Sequence, residues 1–237
     1  MKNKILIIML DLTIAISFIT TIVFSYKYIS IQLIKKQISN EIKEELIVLN
    51  ESDNTNKSSY TLDYYKNYYS NDDIIGRLKI YDTKIDTLLV QSTNNDYYLN
   101  HNIEKKYSVR GSIFVDYRTN LNSKHINIYG HNSKVYNLMF KELENYLDSN
   151  YYENHKYIEL WNGINTYIYE IFSIQIITSD YEHMDTNPID WRKHISKLNN
   201  SIYDTKNSAT IEDEILVIQT CIYNPKNSFL LINAKKI

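Results

Sequence analysis

The pattern of apolar and polar residues divides the chain into unlike parts. From Ile5 to Tyr26 the residues are almost all apolar, Asp11 being the only charge; Lys2 and Lys4 precede the run and Lys27 follows it. As a helix at ~1.5 Å per residue the run would extend about 33 Å, close to the ~30 Å of a hydrocarbon core. Asp11 costs roughly 2.5–3.5 kcal/mol at a helix centre, and less towards one end. A cleaved signal peptide has roughly 7–15 apolar residues and an A-x-A site. This run is longer and no such site follows, so it is read as an uncleaved anchor. Lysines flank both sides, including Lys35 and Lys36, so charge leaves the orientation open.

Between residues 28 and 50 the spacing turns helical. Ile31, Ile34, Ile38, Ile42 and Leu46 share one face, with Lys35, Lys36, Glu41 and Lys43 elsewhere, which predicts an amphipathic stalk helix. The polar run from Glu51 to Ser59 breaks the pattern and reads as a linker. The expected organisation is an anchor over 1–27, a stalk and linker over 28–59, and a globular domain over 60–237.

Strand-like runs dominate that domain: Gly76–Ile80, Thr87–Val90, Ser112–Val115, Ile126–Tyr129, Tyr157–Trp161, Tyr167–Ile177, Ile215–Cys221 and Phe229–Ala234. Asn162-Gly163 between two of them is a hairpin signal. Helices are predicted over Val135–Leu147 and from Asn187-Pro188, with Pro188 at the first helical position. The fold class is mainly β with inserted helices, a mixed barrel of about eight strands behind a transmembrane helix.

The formal net charge of -2 supplies no basic field for nucleic acid. The 23 tyrosines are read as compositional bias rather than as a glycan- or peptide-binding face. Carboxylates and histidines do not cluster at ligand spacing, so no metal is expected, nor any other cofactor.

Cys221 is the only cysteine, which excludes a disulfide within the chain. It closes an apolar run that reads as a buried strand. A lone thiol there is either a packing residue or a nucleophile. A nucleophile needs a proton-transfer partner, and six histidines are available: His101, His125, His131, His155, His183 and His194. His131 stands out because it follows a strand and a glycine in Tyr129-Gly130-His131-Asn132, a placement that can project a ring into a cleft.

Several motifs in order carry a resemblance. Tyr129-Gly130-His131-Asn132 precedes Met139-Phe140, and Thr220-Cys221 closes a late strand. Ile85-Asp86, Asn95–His101, Gly111–Arg118, a helix at 188–200 and the terminal Ala234-Lys235 agree as well. Over about residues 73–237 the chain resembles a sortase of class B. The resemblance implies a sortase-type β-barrel and a cysteine transpeptidase. In it Cys221 attacks the threonine carbonyl of a C-terminal sorting signal, forming a thioacyl-enzyme. His131 protonates the leaving amine and then deprotonates the incoming one. Asn95, Leu99 and Thr220 match positions lining the peptide groove. The implied partners are surface proteins bearing a sorting-signal peptide, a peptidoglycan-precursor amine as acceptor, and the membrane, with the domain outside a Gram-positive-type cell membrane.

One departure stands out. Sortases of this class carry an arginine eight residues after the cysteine, and Phe229 occupies that position; a turn one residue shorter would put Ser228 there. Losing such a donor costs about 10²–10³ in rate. Lys226, Arg110 or Arg118 could substitute, or backbone N–H groups could act alone. Alternatively, the domain could be a non-catalytic peptide-binding or assembly module. A papain-like peptidase fits less well, because that family places its cysteine before its histidine.

Overall fold

Eight strands close into a barrel in the order β1-β2-β3-β4-β7-β8-β6-β5. They are β1 Ile74–Ile80, β2 Asp86–Val90, β3 Phe114–Val115, β4 His125–Tyr129, β5 Tyr157–Trp161, β6 Thr166–Thr178, β7 Ile215–Ile222 and β8 Ser228–Lys236. The structure is a computed structural model that describes residues 2–54, 61–136, 138–178 and 184–237. All eight strands coincide with the apolar runs of the sequence, within a few residues at each end.

The continuous apolar run of β7 follows from its burial on both faces. Leu216, Ile218 and Ile222 point into the barrel with Leu78, Ile126, Ile171 and Ile232. Ile215 and Val217 point outward, beneath Ile195 and Leu198 of helix α4, Trp191–Leu198. The β5–β6 hairpin turns at Asn162-Gly163 as expected. Gly163 has φ +91°, a conformation that favours glycine, and the Asn162 carboxamide accepts from the backbone of Ile164 and Asn165.

The helices depart further from expectation. α4 begins at Trp191 rather than at Pro188, because the Asp190 carboxylate accepts from Lys193 N and caps the helix there. The segment expected as a helix from Val135 is a 3₁₀-helix over Met139–Leu147. Two short helices had no prediction: α2, Leu62–Tyr69, capped by the Thr61 hydroxyl, and α3, Ser149–Asn154. Several tyrosines are core residues. Tyr98 and Tyr146 are fully buried, and their hydroxyls donate to Asp73 Oδ2 and His155 O.

The chain forms two units, Met1–Glu41 and Ile42–Ile237. The first lies in helix α1, which runs without interruption over Lys2–Asn54. Its large apolar side chains from Leu12 to Ile29 are exposed, and the Thr20 and Thr21 hydroxyls donate back to Ser17 O. By length and composition this helix is able to cross a membrane.

The second unit starts at Ile42, earlier than the polar break suggested, and the helix continues past residue 51 to Asn54. Residues 55–59 of the expected linker lie outside the described residues. The reason for the early start is packing. Val48 and Leu49 are buried with Tyr65, Ile74, Leu88 and Phe114. Glu45, itself buried, accepts from Arg110 Nη2, Thr87 Oγ1 and Leu88 N.

Candidate active site

The site is assembled by the parallel pairing of β4 with β7, in which Tyr129 stands opposite Gln219. His131 and Cys221 each follow two residues later, His131 just past the end of β4 and Cys221 still within β7, so both lie at the same end of the sheet. Glycine is required between β4 and His131, because a Cβ at Gly130 would run into the Phe140 ring. Cross-links hold the two chain segments together. The Thr220 hydroxyl donates to Gly130 O at 2.8 Å, and Gly130 N donates to Gln219 O at 3.3 Å. Asn132 Nδ2 donates to Cys221 O at 2.8 Å and to Glu144 Oε1 at 2.6 Å, while Tyr223 OH donates to Asn132 O at 3.1 Å.

His131 lies half-buried, its Nε2 2.7 Å from Leu99 O. A carbonyl only accepts, so Nε2 carries a hydrogen and Nδ1 is the nitrogen left to exchange a proton. Cys221 is exposed on the outer face of β7. Burial of the thiol nonetheless pushes its pKa up.

The other described histidines have structural partners. His101 and His155 bond the carbonyls of Tyr97 and Tyr151 and stack on those rings. His125 and His194 are buried against each other at 3.1 Å. His183 lies outside the described residues.

Beside the strand ends lies a cleft of about 560 Å³, lined by Asn95, Leu99, Tyr129, Arg118, Met184 and Gln219 among others. Asn95 and Leu99, expected in the peptide groove, both line this cleft. Thr220 does not: its side chain is buried and turned away from the cleft, and it ties the His131 loop to β7. Alternation along a strand explains the difference, since Gln219 shares a face with Cys221 and Thr220 faces the other way. The same period-2 rule, applied to the sequence, could have singled out Gln219. A larger hollow of about 630 Å³ lies between the end of α1 and Met139; neither its lining nor that of the 560 Å³ cleft includes Cys221 or His131, and the cleft reaches β7 at Gln219.

Phe229 is the direct cross-strand partner of Cys221, and Ser228 faces Ile222 instead. Of the three candidate substitute cations, Arg110 is buried in its ion pair with Glu45 at 2.5 Å, and Lys226 is exposed in the β7–β8 turn. Only Arg118 lines the cleft. Its Nε and Nη2 donate to Asp116 at 2.9 and 2.7 Å, and Nη2 also donates to Met184 O at 3.1 Å. Burial pushes the Asp116 carboxyl up, but hydrogen bonds from Arg118 and from Tyr129 outweigh it and hold the group below the usual carboxylate range. Among the described residues no group of three His, Cys, Asp or Glu is placed to hold a metal ion.

No protein-family model matches the chain. Two curated proteins do. It is 36% identical to sortase B of Listeria monocytogenes over 158 residues, which cover 64% of this chain and 63% of that protein. It is 31% identical to sortase B of Staphylococcus aureus over 175 residues, 70% of this chain and 71% of the relative. The crystal structure of Clostridium perfringens sortase B superimposes with a TM-score of 0.69 at 30% identity, covering 74% of this chain and 98% of that one. The chain spans somewhat under two thirds of the Listeria relative and somewhat over two thirds of the Staphylococcus one. With the barrel and the ordered motifs, these likenesses establish that the chain belongs to the class B sortases, a family of cysteine transpeptidases.

Proposed function

We propose that this protein is a membrane-anchored transpeptidase that cleaves a C-terminal sorting signal of surface proteins and transfers them to a cell-wall amine. Cys221 is the nucleophile and His131 the proton-transfer group. The Cys221 thiol gives its proton to His131 Nδ1, and its sulfur attacks the threonine carbonyl carbon. The tetrahedral intermediate collapses as the C–N bond breaks, with the imidazolium returning the proton to the leaving amine. The incoming amine then loses a proton to the imidazole and attacks the thioester, which releases the thiol. Asn95 and Leu99 contact the peptide in the cleft, while Thr220 acts from behind by holding the His131 loop. Helix α1 spans the membrane and the barrel works outside the cell membrane.

The observation that supports this reading is the β4–β7 register, in which Tyr129 pairs with Gln219 two residues before His131 and Cys221, while Gln219 itself lines a cleft of about 560 Å³. Membership of the family does not favour the alternative of a non-catalytic peptide-binding module. The full chain in detergent should cleave a fluorogenic sorting peptide and form a thioacyl adduct visible by mass spectrometry. Cys221→Ala should abolish both. If that variant cleaves as well as the parent, the reading is wrong.

A further inference from the structure

The cleft that reaches β7 at Gln219, two residues before Cys221, contains two polar side chains that the chemistry just described does not use. Arg118 is the only cation among its described lining residues. Its guanidinium is pre-positioned. Nε and Nη2 are held by Asp116, whose side chain is fully buried, and by Met184 O. Tyr129 OH donates to the same carboxylate at 2.7 Å. The Tyr129 hydroxyl also interacts with the guanidinium, and the side chain is 42% exposed, so its outward N–H groups are presented to a ligand.

Gln219 is the second. It is 8% exposed and lines the same cleft, and its buried Oε1 has no hydrogen-bond partner among the described residues. A buried amide oxygen without a partner costs free energy. It is tolerated where a ligand completes it. Gln219 lies on the face of β7 that carries Cys221, two residues before it, or about 7 Å at ~3.4 Å per residue.

A donor and an acceptor along one cleft, between the apolar surfaces of Leu99, Phe114 and Met184, match the alternating C=O and N–H groups of an extended peptide. We propose that Arg118 and Gln219 bind the main chain of the sorting segment, an outward N–H of Arg118 donating to a backbone carbonyl and Gln219 Oε1 accepting a backbone N–H. Both act on binding, not on the chemical step. The assignment deepens the sortase reading and rests on it for the identity of the ligand.

The test uses the full-length Cys221→Ala protein, so that binding is read without turnover. The probe is a fluorescein-labelled sorting-signal pentapeptide with threonine before the scissile bond. Ester analogues of it replace each amide N-terminal to the threonine in turn. Gln219→Met keeps the shape of the side chain, and Arg118→Lys keeps a cation on Asp116 while losing the planar fork.

Each variant should raise Kd about 3- to 10-fold. In the otherwise active protein each should raise KM with kcat unchanged. One ester analogue should bind more weakly than the amide to the parent but equally well to Gln219→Met. Unchanged Kd in both folded variants would overturn the proposal, as would an ester penalty that is the same with and without Gln219. If the Cys221→Ala protein with both residues intact does not bind the peptide at all, the sortase reading itself fails.

Discussion

Cys221 and Phe229 are direct partners across the antiparallel pair β7–β8. Opposite residues of such a pair project from the same face of the sheet, so an aromatic ring borders the thiol where a charged donor is expected. Phe229 also pairs with Ile177 of β6 and packs against the outer cluster that includes Val217. Phe229→Arg should therefore supply a missing donor for the developing oxyanion and raise kcat, by up to about 10²-fold, with little change in KM. Turnover of the fluorogenic peptide measures this, with thermal unfolding as the check on folding. An unchanged kcat in a folded variant would mean that another group already stabilises the oxyanion.

Burial of the Cys221 thiol raises its pKa, so the thiolate is the minor form at neutral pH. Alkylation by iodoacetamide should speed up as pH rises, with a midpoint above the ~8.5 of an unperturbed thiol. A midpoint below neutrality would reveal a stable thiolate–imidazolium pair and contradict the description of the resting site.

Asn132 spans the active site from behind, donating from Nδ2 to both Cys221 O and Glu144 Oε1. Asn132→Ala removes that link without touching either reacting group. The expected result is a fall in kcat of about 10-fold, the worth of a hydrogen bond that positions reacting groups, at nearly constant KM. A change confined to KM would count against the positioning role.

The buried Glu45–Arg110 pair fastens the end of α1 to the barrel. Glu45→Gln leaves the Arg110 guanidinium buried without its counter-charge, which costs about 3–5 kcal/mol. Urea denaturation should show the loss, and Glu45→Gln combined with Arg110→Met should recover most of it. Equal stabilities of the parent and Glu45→Gln would show that the pair is not required for the fold.

His125 is buried against His194, and burial together with the neighbouring ring pushes its pKa down to about 3. In the unfolded chain the ring takes up a proton near pH 6.5. Between those values the unfolded state binds the extra proton, so stability falls as pH drops from about 6.5 towards 3. The slope is up to about 1.4 kcal/mol per pH unit. His125→Gln should flatten the dependence of stability on pH across this window. An identical slope in the variant would indicate that other groups carry the acid sensitivity.

Much of this protein was legible before any tertiary contact was known. Periodicity marked all eight strands, because a strand's burial is written in its own residues: β7 is apolar throughout since both its faces are covered. The apolar run after Lys4 announced a helix able to cross a membrane. Their positions at strand ends made Cys221 and His131 candidates, and the resemblance alone gave them, with Asn95 and Leu99, their proposed roles. The start of α4 was misjudged because Asp190 caps better than Pro188 initiates. The Glu51 break was overrun because the end of α1 is held by contacts with β2 and Arg110 that lie far away in sequence.

Other features depended on partners, and local pattern does not name partners. That β4 lies parallel to β7, with Tyr129 opposite Gln219, is a choice made by closing the barrel. It alone brings His131 and Cys221 to one end. The same closure set Phe229 rather than Ser228 opposite the cysteine, locked Arg110 against Glu45, and left Arg118 as the cation facing the cleft. The chain thus carries its elements and its reactive groups in local sequence. Which groups meet is decided by long-range strand pairing, where a shift of one residue turns every side chain to the opposite face.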